Sequence, residues 1–271
     1  MSEPAPSGTT EGQDRRATPV ELERRGPCAV IRINRPEARN AVNGAVAQGI
    51  EDAIDKIEAD DDVWVGILIG EPPVFSAGAD LKEINAGNGA SLQTERGGFA
   101  GIVQRKRTKP VIAAVDGPAL AGGTEIVLAC DLVVASTSAT FGIPEVKRSL
   151  VAAAGALFRL GRKLPFNIAM ELALTGDPIT AEFAHRHGLV NRLVEPGHVL
   201  DAALALAEQI CANAPLAVRA SRKVVVEATQ APDEVGWQMS MDAMAEAVRS
   251  DDFREGLTAF IEKRPPRWKG H

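Results

Sequence analysis

The chain has no tyrosine, only three cysteines and four histidines, and aromatic residues make up just 4% of it. Without tyrosine, no phenol is available as a general acid. Cys28, Cys130 and Cys211 are far apart and form no C-x-x-C pair, so neither a zinc site nor a dithiol redox centre finds support. An odd count at such spacing reads as reduced, mostly buried thiols of a cytoplasmic protein. No apolar run approaches the roughly 20 residues that cross a bilayer. Residues 1–16 are polar, with Pro4, Pro6, Gly8 and Gly12 and no apolar stretch, so a signal peptide is not expected. We read residues 1–18 as a disordered tail. An excess of positive charge is also missing. The 30 basic residues face 36 acidic ones, a net charge of −6, which argues against nucleic acid as a partner. A local cluster of Lys and Arg can still bind a small anion.

What is present suits one large α/β unit. The chain has 271 residues, 45% of them hydrophobic, enough to bury a sizeable core. Residues 29–34 alternate as a strand does and stop at Arg35-Pro36. Val46, Ile50, Ile54 and Ile57 fall at helical spacing, predicting a helix from about 42 to 59. Residues 63–69, 111–115 and 132–135 are short continuous apolar runs, as expected for strands buried on both faces. The last third is mostly helical. Pro165 and Gly176 bracket one helix, Thr180 can cap a second, and Leu200, Leu204, Ala207 and Cys211 form one stripe of a third. Further helices are predicted at 215–227, 234–248 and 251–262. The composition shifts near 213–215, so we place a core at 19–213 and a C-terminal helical region at 214–271. Trp64, Trp237 and Trp268 are expected to be packing residues.

Three segments carry chemistry. The first is Phe75-Ser76-Ala77-Gly78-Ala79-Asp80-Leu81-Lys82-Glu83. The second is Asp116-Gly117-Pro118-Ala119-Leu120-Ala121-Gly122-Gly123-Thr124-Glu125, and the third is Phe141-Gly142-Ile143-Pro144-Glu145. In the second, a strand enters a turn with paired glycines and an apolar helix follows at once. Such glycines admit a ligand close to the backbone, and the first N–H groups of a helix have no partner within it. One N–H from this turn and one from Ala77-Gly78-Ala79 would make an oxyanion hole. The spacing is neither G-x-G-x-x-G nor a P-loop. Glu125 and Glu145, each in an apolar setting, form a candidate acid–base pair, since desolvation moves a carboxyl toward neutral pKa. His185 and His187 face different sides of a helix and read as surface residues. Asp60-Asp61-Asp62 reads as a solvated turn.

With these segments in view, the chain resembles the crotonase (enoyl-CoA hydratase/isomerase) superfamily from about Thr18 onward. Asn34-Arg35-Pro36-Glu37-Ala38-Arg39-Asn40-Ala41 resembles the family's early Asn-Arg-Pro…Asn-Ala element. Residues 75–83 and 121–131 resemble its two oxyanion-hole segments, and 260–264 its C-terminal Phe-x-Glu-Lys-Arg. The resemblance implies a crotonase-like ββα superhelix with a C-terminal helical trimerisation region. It implies an oxyanion hole at the N–H groups of Ala79 and Gly122, and catalysis by Glu125 and Glu145. It also implies coenzyme A contacts at Arg39, Ala77, Asp80, Lys82, Phe260 and Lys263.

The expected activity is hydration of a 2-enoyl-CoA in fatty-acid or related metabolism, without metal or separate cofactor, because coenzyme A is part of the substrate. A homotrimer or a pair of trimers is expected, with no membrane partner. Two departures stand out. A glycine-rich stretch common in the family reads Ser149-Leu150-Val151-Ala152-Ala153-Ala154-Gly155-Ala156, which puts acyl-chain preference in question. Glu37 stands where relatives often carry a basic residue. An enoyl-CoA isomerase, a dehydratase of a modified acyl-CoA and a non-catalytic acyl-CoA-binding protein are the alternatives.

Overall fold

The structure, a computed structural model, describes residues 18–271. The tail expected at 1–18 therefore lies outside the described residues, except for Thr18. The chain opens with a hairpin, β1 (Val20–Arg25) and β2 (Cys28–Ile33), paired from Val20↔Ile33 to Arg25↔Cys28 around Gly26. Helix α1 (Gly44–Ala59) follows, capped by the Asn43 side chain, which accepts from Val46 N–H at 3.0 Å. Then come β3 (Val65–Gly70), the short α2 (Leu81–Asn85), and a small hairpin of β4 (Gln93–Thr94) and β5 (Gly98–Phe99). Strand β6 (Val111–Val115), β7 (Ala119–Leu120), α3 (Gly122–Ala129), β8 (Leu132–Ser136) and β9 (Thr140–Gly142) complete the region that holds the three chemical segments. The remainder is α4 (Ala156–Lys163), α5 (Phe166–Thr175), β10 (Ile179–Thr180), α6 (Ala181–Arg186) and β11 (Arg192–Val194). Helices α7 (Val199–Cys211), α8 (Pro215–Ala228), α9 (Asp233–Arg249) and α10 (Asp251–Glu262) close the chain.

Six strands form the main sheet in the order β1-β2-β3-β6-β8-β11, parallel throughout except for the β1–β2 hairpin. Alternation along each strand divides its side chains between two cores. On β2, Ala29, Ile31 and Ile33 join the core that contains Val46, Ile50, Ile54 and Ile57 of α1 and Ile126 and Val127 of α3. Cys28 and Val30 face the other core with Ile67, Ile112 and Val134, covered by Val199, Ala203 and Ala207 of α7. Both faces of the central strands β2, β3, β6 and β8 are thus dry, which is why they read as apolar runs. A second sheet, β10-β9-β7, pairs the middle of the second chemical segment with the start of the third, Ala119↔Phe141 and Leu120↔Gly142. The architecture is the crotonase fold.

The predicted strands and helices appear within a few residues of their expected bounds, and Thr180 accepts from Phe183 N–H as the expected cap. Three features differ from expectation. Strand β1 escapes a reading by periodicity, because its charged residues Glu21, Glu23, Arg24 and Arg25 face solvent and leave little apolar alternation. Helix α4 escapes it too, being short and rich in Arg and Lys. Trp237 is not a packing residue of this chain: it is 73% exposed on α9. Cys28 and Cys130 are buried and Cys211 half-buried, with the sulfurs of Cys28 and Cys211 4.0 Å apart.

Candidate active site

The first turn is held by the Asn-Arg-Pro element. Asn40 is fully buried in a left-handed conformation (φ 52°) that asparagine tolerates. Its side-chain amide donates to the carbonyls of Glu71 and Val74 at 2.7 and 2.6 Å, and its Oδ1 accepts from Arg35 N–H at 2.9 Å. Its own carbonyl accepts from the Ser76 hydroxyl at 2.9 Å. Arg35 reaches Asp80 at 3.2 Å, and Asp80 also caps α2 by accepting from Lys82 N–H at 3.1 Å.

The turn then pairs with Val42 as an isolated parallel bridge, Val42↔Ala79. Val42 donates to the Gly78 carbonyl at 2.8 Å and accepts from Asp80 N–H at 2.9 Å. In a parallel bridge the residue between those two contacts turns its own N–H the other way. Ala79 N–H therefore points away from Val42, toward the second turn.

The second turn is built for close approach. Ala121 sits at φ +52° as the cap of α3, and Gly122 follows as the first helical residue, whose N–H finds no partner within the helix. A β-carbon on Gly78 would lie 2.7 Å from Gly122 N. One on Gly123 would lie 2.2 Å from the Ser76 carbonyl oxygen. Glycine is required at both because the two turns touch backbone to backbone. Thr124 Oγ1 lies 2.7 Å from the Ala119 carbonyl and accepts from Gly142 N–H at 3.0 Å, tying α3 to β9. Strand β9 leads directly into the 3-10 turn Pro144–Arg148, which carries Glu145.

Glu125 lies one turn into α3 and is only 4% exposed. Its Oε1 accepts from Ala156 N–H at 3.2 Å. Burial pushes its carboxyl pKa up to about 7. The Ala156 amide opposes that rise, the negative Glu145 adds to it, and the Ala154 amide and Arg159 oppose it further. Glu145 is half-buried, and burial likewise raises its pKa, against the pull of its own backbone N–H. Its Oε2 is inaccessible to solvent and has no hydrogen-bond partner among the described residues. A buried carboxylate oxygen left without a donor is costly, and a bound ligand or water would satisfy it.

Both acids open onto one cavity of about 430 Å³, together with Ala79 and Gly122. Phe99, Val103, Leu120, Ala153 and Ala154 provide apolar walls, while Arg39, Gln93, Gln104 and Arg148 bring polar groups to it from exposed positions. Such a chamber, apolar with a few convergent polar groups, suits a small organic ligand. Of the sequence-predicted residues, Ala77, Ala79, Gly122, Glu125, Glu145 and Arg39 line it. Asp80, Lys82, Phe260 and Lys263 are not among its lining residues. The Asp80 carboxylate is already engaged by Arg35 and the start of α2. Lys82 is exposed on α2, and Phe260, 85% exposed, and Lys263 stand at the end of α10. The walls from Gln93, Phe99, Val103 and Gln104 escape sequence reasoning, because that stretch shows neither helical nor strand periodicity.

Two turns with free amides and two raised carboxyls on one crotonase scaffold define an enzyme class that works on carbonyl compounds. The chain belongs to the enoyl-CoA hydratase/isomerase family, whose model matches residues 23–271. It is 40% identical over 253 residues to the enoyl-CoA hydratase EchA19 of Mycobacterium tuberculosis, covering 92% of this chain and 95% of that protein. It is 38% identical over 252 residues to the mevalonyl-coenzyme A hydratase sidH of Aspergillus fumigatus, covering 89% and 90%. The crystal structure of an enoyl-CoA hydratase from M. tuberculosis H37Rv superposes with a TM-score of 0.91 at 49% identity, over 94% of this chain and all of that one.

Proposed function

We propose that the protein is a hydro-lyase that adds water reversibly to a 2-enoyl-CoA thioester. The observation that carries this reading is that Glu125, Glu145, Ala79 and Gly122 line one cavity, and that the main-chain amides of Ala79 and Gly122 have no partner among the described residues. Water attacks the β-carbon, electrons move through the conjugated system, and negative charge gathers on the thioester oxygen. The N–H groups of Ala79 and Gly122 receive that charge, each contributing about 3 kcal/mol on the precedent of other oxyanion holes. Glu125 holds the water and takes its proton; Glu145 gives a proton to the α-carbon, which leaves a 3-hydroxyacyl-CoA. A carboxyl group at a pKa of about 7 suits either direction of the reaction near neutrality.

The acyl-CoA is the only partner the chemistry needs. We assign Arg39 to its phosphates from a place on the cavity wall, and Ala77 and Asp80 to the turn that flanks the thioester. Lys82 is assigned to the nucleotide end of the same ligand. Phe260 and Lys263 are assigned to the coenzyme A held by a neighbouring copy. Residues 214–271 then form the assembly region of a homotrimer or a pair of trimers. The exposed Trp237, Met241, Met244, Phe260 and Ile261 on α9 and α10 support this.

Purified protein mixed with crotonyl-CoA should bleach the absorbance of the conjugated thioester. No turnover across several chain lengths would overturn the assignment. Incorporation of labelled solvent oxygen separates hydration from double-bond isomerisation. A second reading, dehydration of a polar acyl-CoA, is favoured by Gln93, Gln104 and Arg148 around the cavity and by the mevalonyl-coenzyme A hydratase among the relatives. Saturated 3-hydroxyacyl thioesters with and without a second polar group, compared as substrates, decide between them.

A further inference from the structure

The amides facing Glu125 come from the turn before α4, at Ala154, and from the first residue of that helix, Ala156. Residues 150–152 adopt no regular element and 153–155 form a turn that leads into α4. The side chain that fixes this turn is Arg159. Its Nη1 donates to the Ala154 carbonyl at 3.2 Å and its Nη2 to the Val103 carbonyl. Val103 and Ala154 are both cavity walls, so one guanidinium bridges two sides of the chamber. The group folds back over Gly155, which adopts φ +110°; a β-carbon there would lie 2.1 Å from Nη1. Gly155 and Arg159 therefore work as a unit, since any side chain at 155 would expel the guanidinium. Among the described residues, no carboxylate lies within ion-pair distance of Arg159, yet its charge and that of Glu125 stabilise each other.

We propose that Arg159 is a positioning residue for the Glu125 carboxylate: by clamping the Val103 and Ala154 carbonyls, it holds the Ala154 and Ala156 amides against the acid. The proposal rests on the reading of Glu125 as the base that activates water. Arg159 acts in two ways. Geometrically, the clamp fixes the direction of the carboxylate lone pair that receives the proton. Electrostatically, a cation behind the acid favours its ionised form, against burial and against Glu145.

The charged and titratable groups around the pair are Glu145 on the 3-10 turn and, near Arg159, Arg162, Lys163, Arg107 and Cys130. Arg39 and Arg148 line the same cavity. Strand β7, which also packs on α3, contributes no ionisable side chain. Arg159 is thus the cation that opposes Glu145 at the buried end of the site.

The test uses the enoyl-CoA hydration assay across pH with the full chain. Arg159→Met should lower kcat about 10–100-fold with KM within about threefold, the pattern of a misdirected catalytic group. The acidic limb of its rate profile should move up by roughly half to one pH unit, because the carboxyl loses its cation. Arg159→Lys should leave the limb in place but lower kcat, because an ammonium cannot reach both carbonyls. The lysine variant alone decides the matter if the methionine variant does not fold. Unchanged kcat and limb in the lysine and methionine variants overturn the proposal. So does a lowered melting temperature with kcat and limb unmoved. Failure of the unsubstituted enzyme to hydrate any enoyl-CoA defeats the reading of Glu125 instead, a result distinct from these.

Discussion

Gly78 and Gly122 meet backbone to backbone: a β-carbon on the first would stand 2.7 Å from the amide nitrogen of the second. Gly78 also adopts φ +87°, which favours glycine for a second reason. Gly78→Ala should drive the two turns apart and withdraw one donor from the thioester oxygen. Turnover of an enoyl-CoA should fall about 100-fold or more, as for loss of one oxyanion-hole donor. Steady-state kinetics, with circular dichroism to verify folding, checks this.

Glu125→Gln and Glu145→Gln should each lower kcat by about 100- to 10,000-fold, the range of a lost general acid or base. The double variant should be little slower than the worse single one, because the two groups serve a single proton inventory. Their effects on stability should differ. Glu145→Gln removes a negative charge from a buried oxygen that has no partner among the described residues, so its melting temperature should hold or rise.

The Glu125 carboxyl also makes stability depend on pH. Its pKa in the folded state, about 7, stands above the ordinary 4.5, so the folded protein binds this proton more tightly than the unfolded chain. The stabilisation is complete below about pH 4.5 and is lost as pH rises through 7. It amounts to the order of 3 kcal/mol. Melting curves of the parent and Glu125→Gln should therefore diverge between these pH values, with the parent losing ground as pH rises. On the proposed role of Glu125 as base, kcat should increase over the same range as this carboxyl ionises.

Asn40→Ala should destabilise the protein by about 2–4 kcal/mol, because two carbonyls and one amide lose their partner in a dry interior. Urea denaturation checks the loss. Activity at low temperature should also fall, since Asn40 holds the loop that carries the Ala79 amide.

Phe99 forms a wall of the cavity, and its ring lies 2.5 Å from where a β-carbon on Gly122 would stand. Phe99→Ala should open room beside the thioester and raise the kcat/KM of long-chain over short-chain enoyl-CoA by about 10-fold. Competition between two chain lengths in one reaction measures the ratio.

Most of the scaffold is legible in the sequence because its central strands are dry on both faces and most of its helices carry clear stripes. The apolar runs at 63–69 and 111–115 read as buried strands, and the structure has buried strands at Val65–Gly70 and Val111–Val115. The glycine turns and both glutamates are also readable, because their chemistry is local: a strand, a turn, a helix start and an acid in sequence. Legibility fails where a role depends on distant neighbours. Phe99 and Val103 reach the cavity through a short hairpin with no periodic signal. Arg159 looks like an ordinary helix charge in the sequence, and only the structure shows its return over Gly155 to two carbonyls. The run of alanines before Gly155 stands out in the sequence, but what fastens it cannot be inferred from composition.

The outer strand β1 presents Glu21, Glu23, Arg24 and Arg25 to water, and the opposite rim of the sheet is only the three-residue β11. Neither rim offers a foreign strand a long greasy ladder to climb. Edge-to-edge pairing of the main sheets of two copies is thereby disfavoured at both rims.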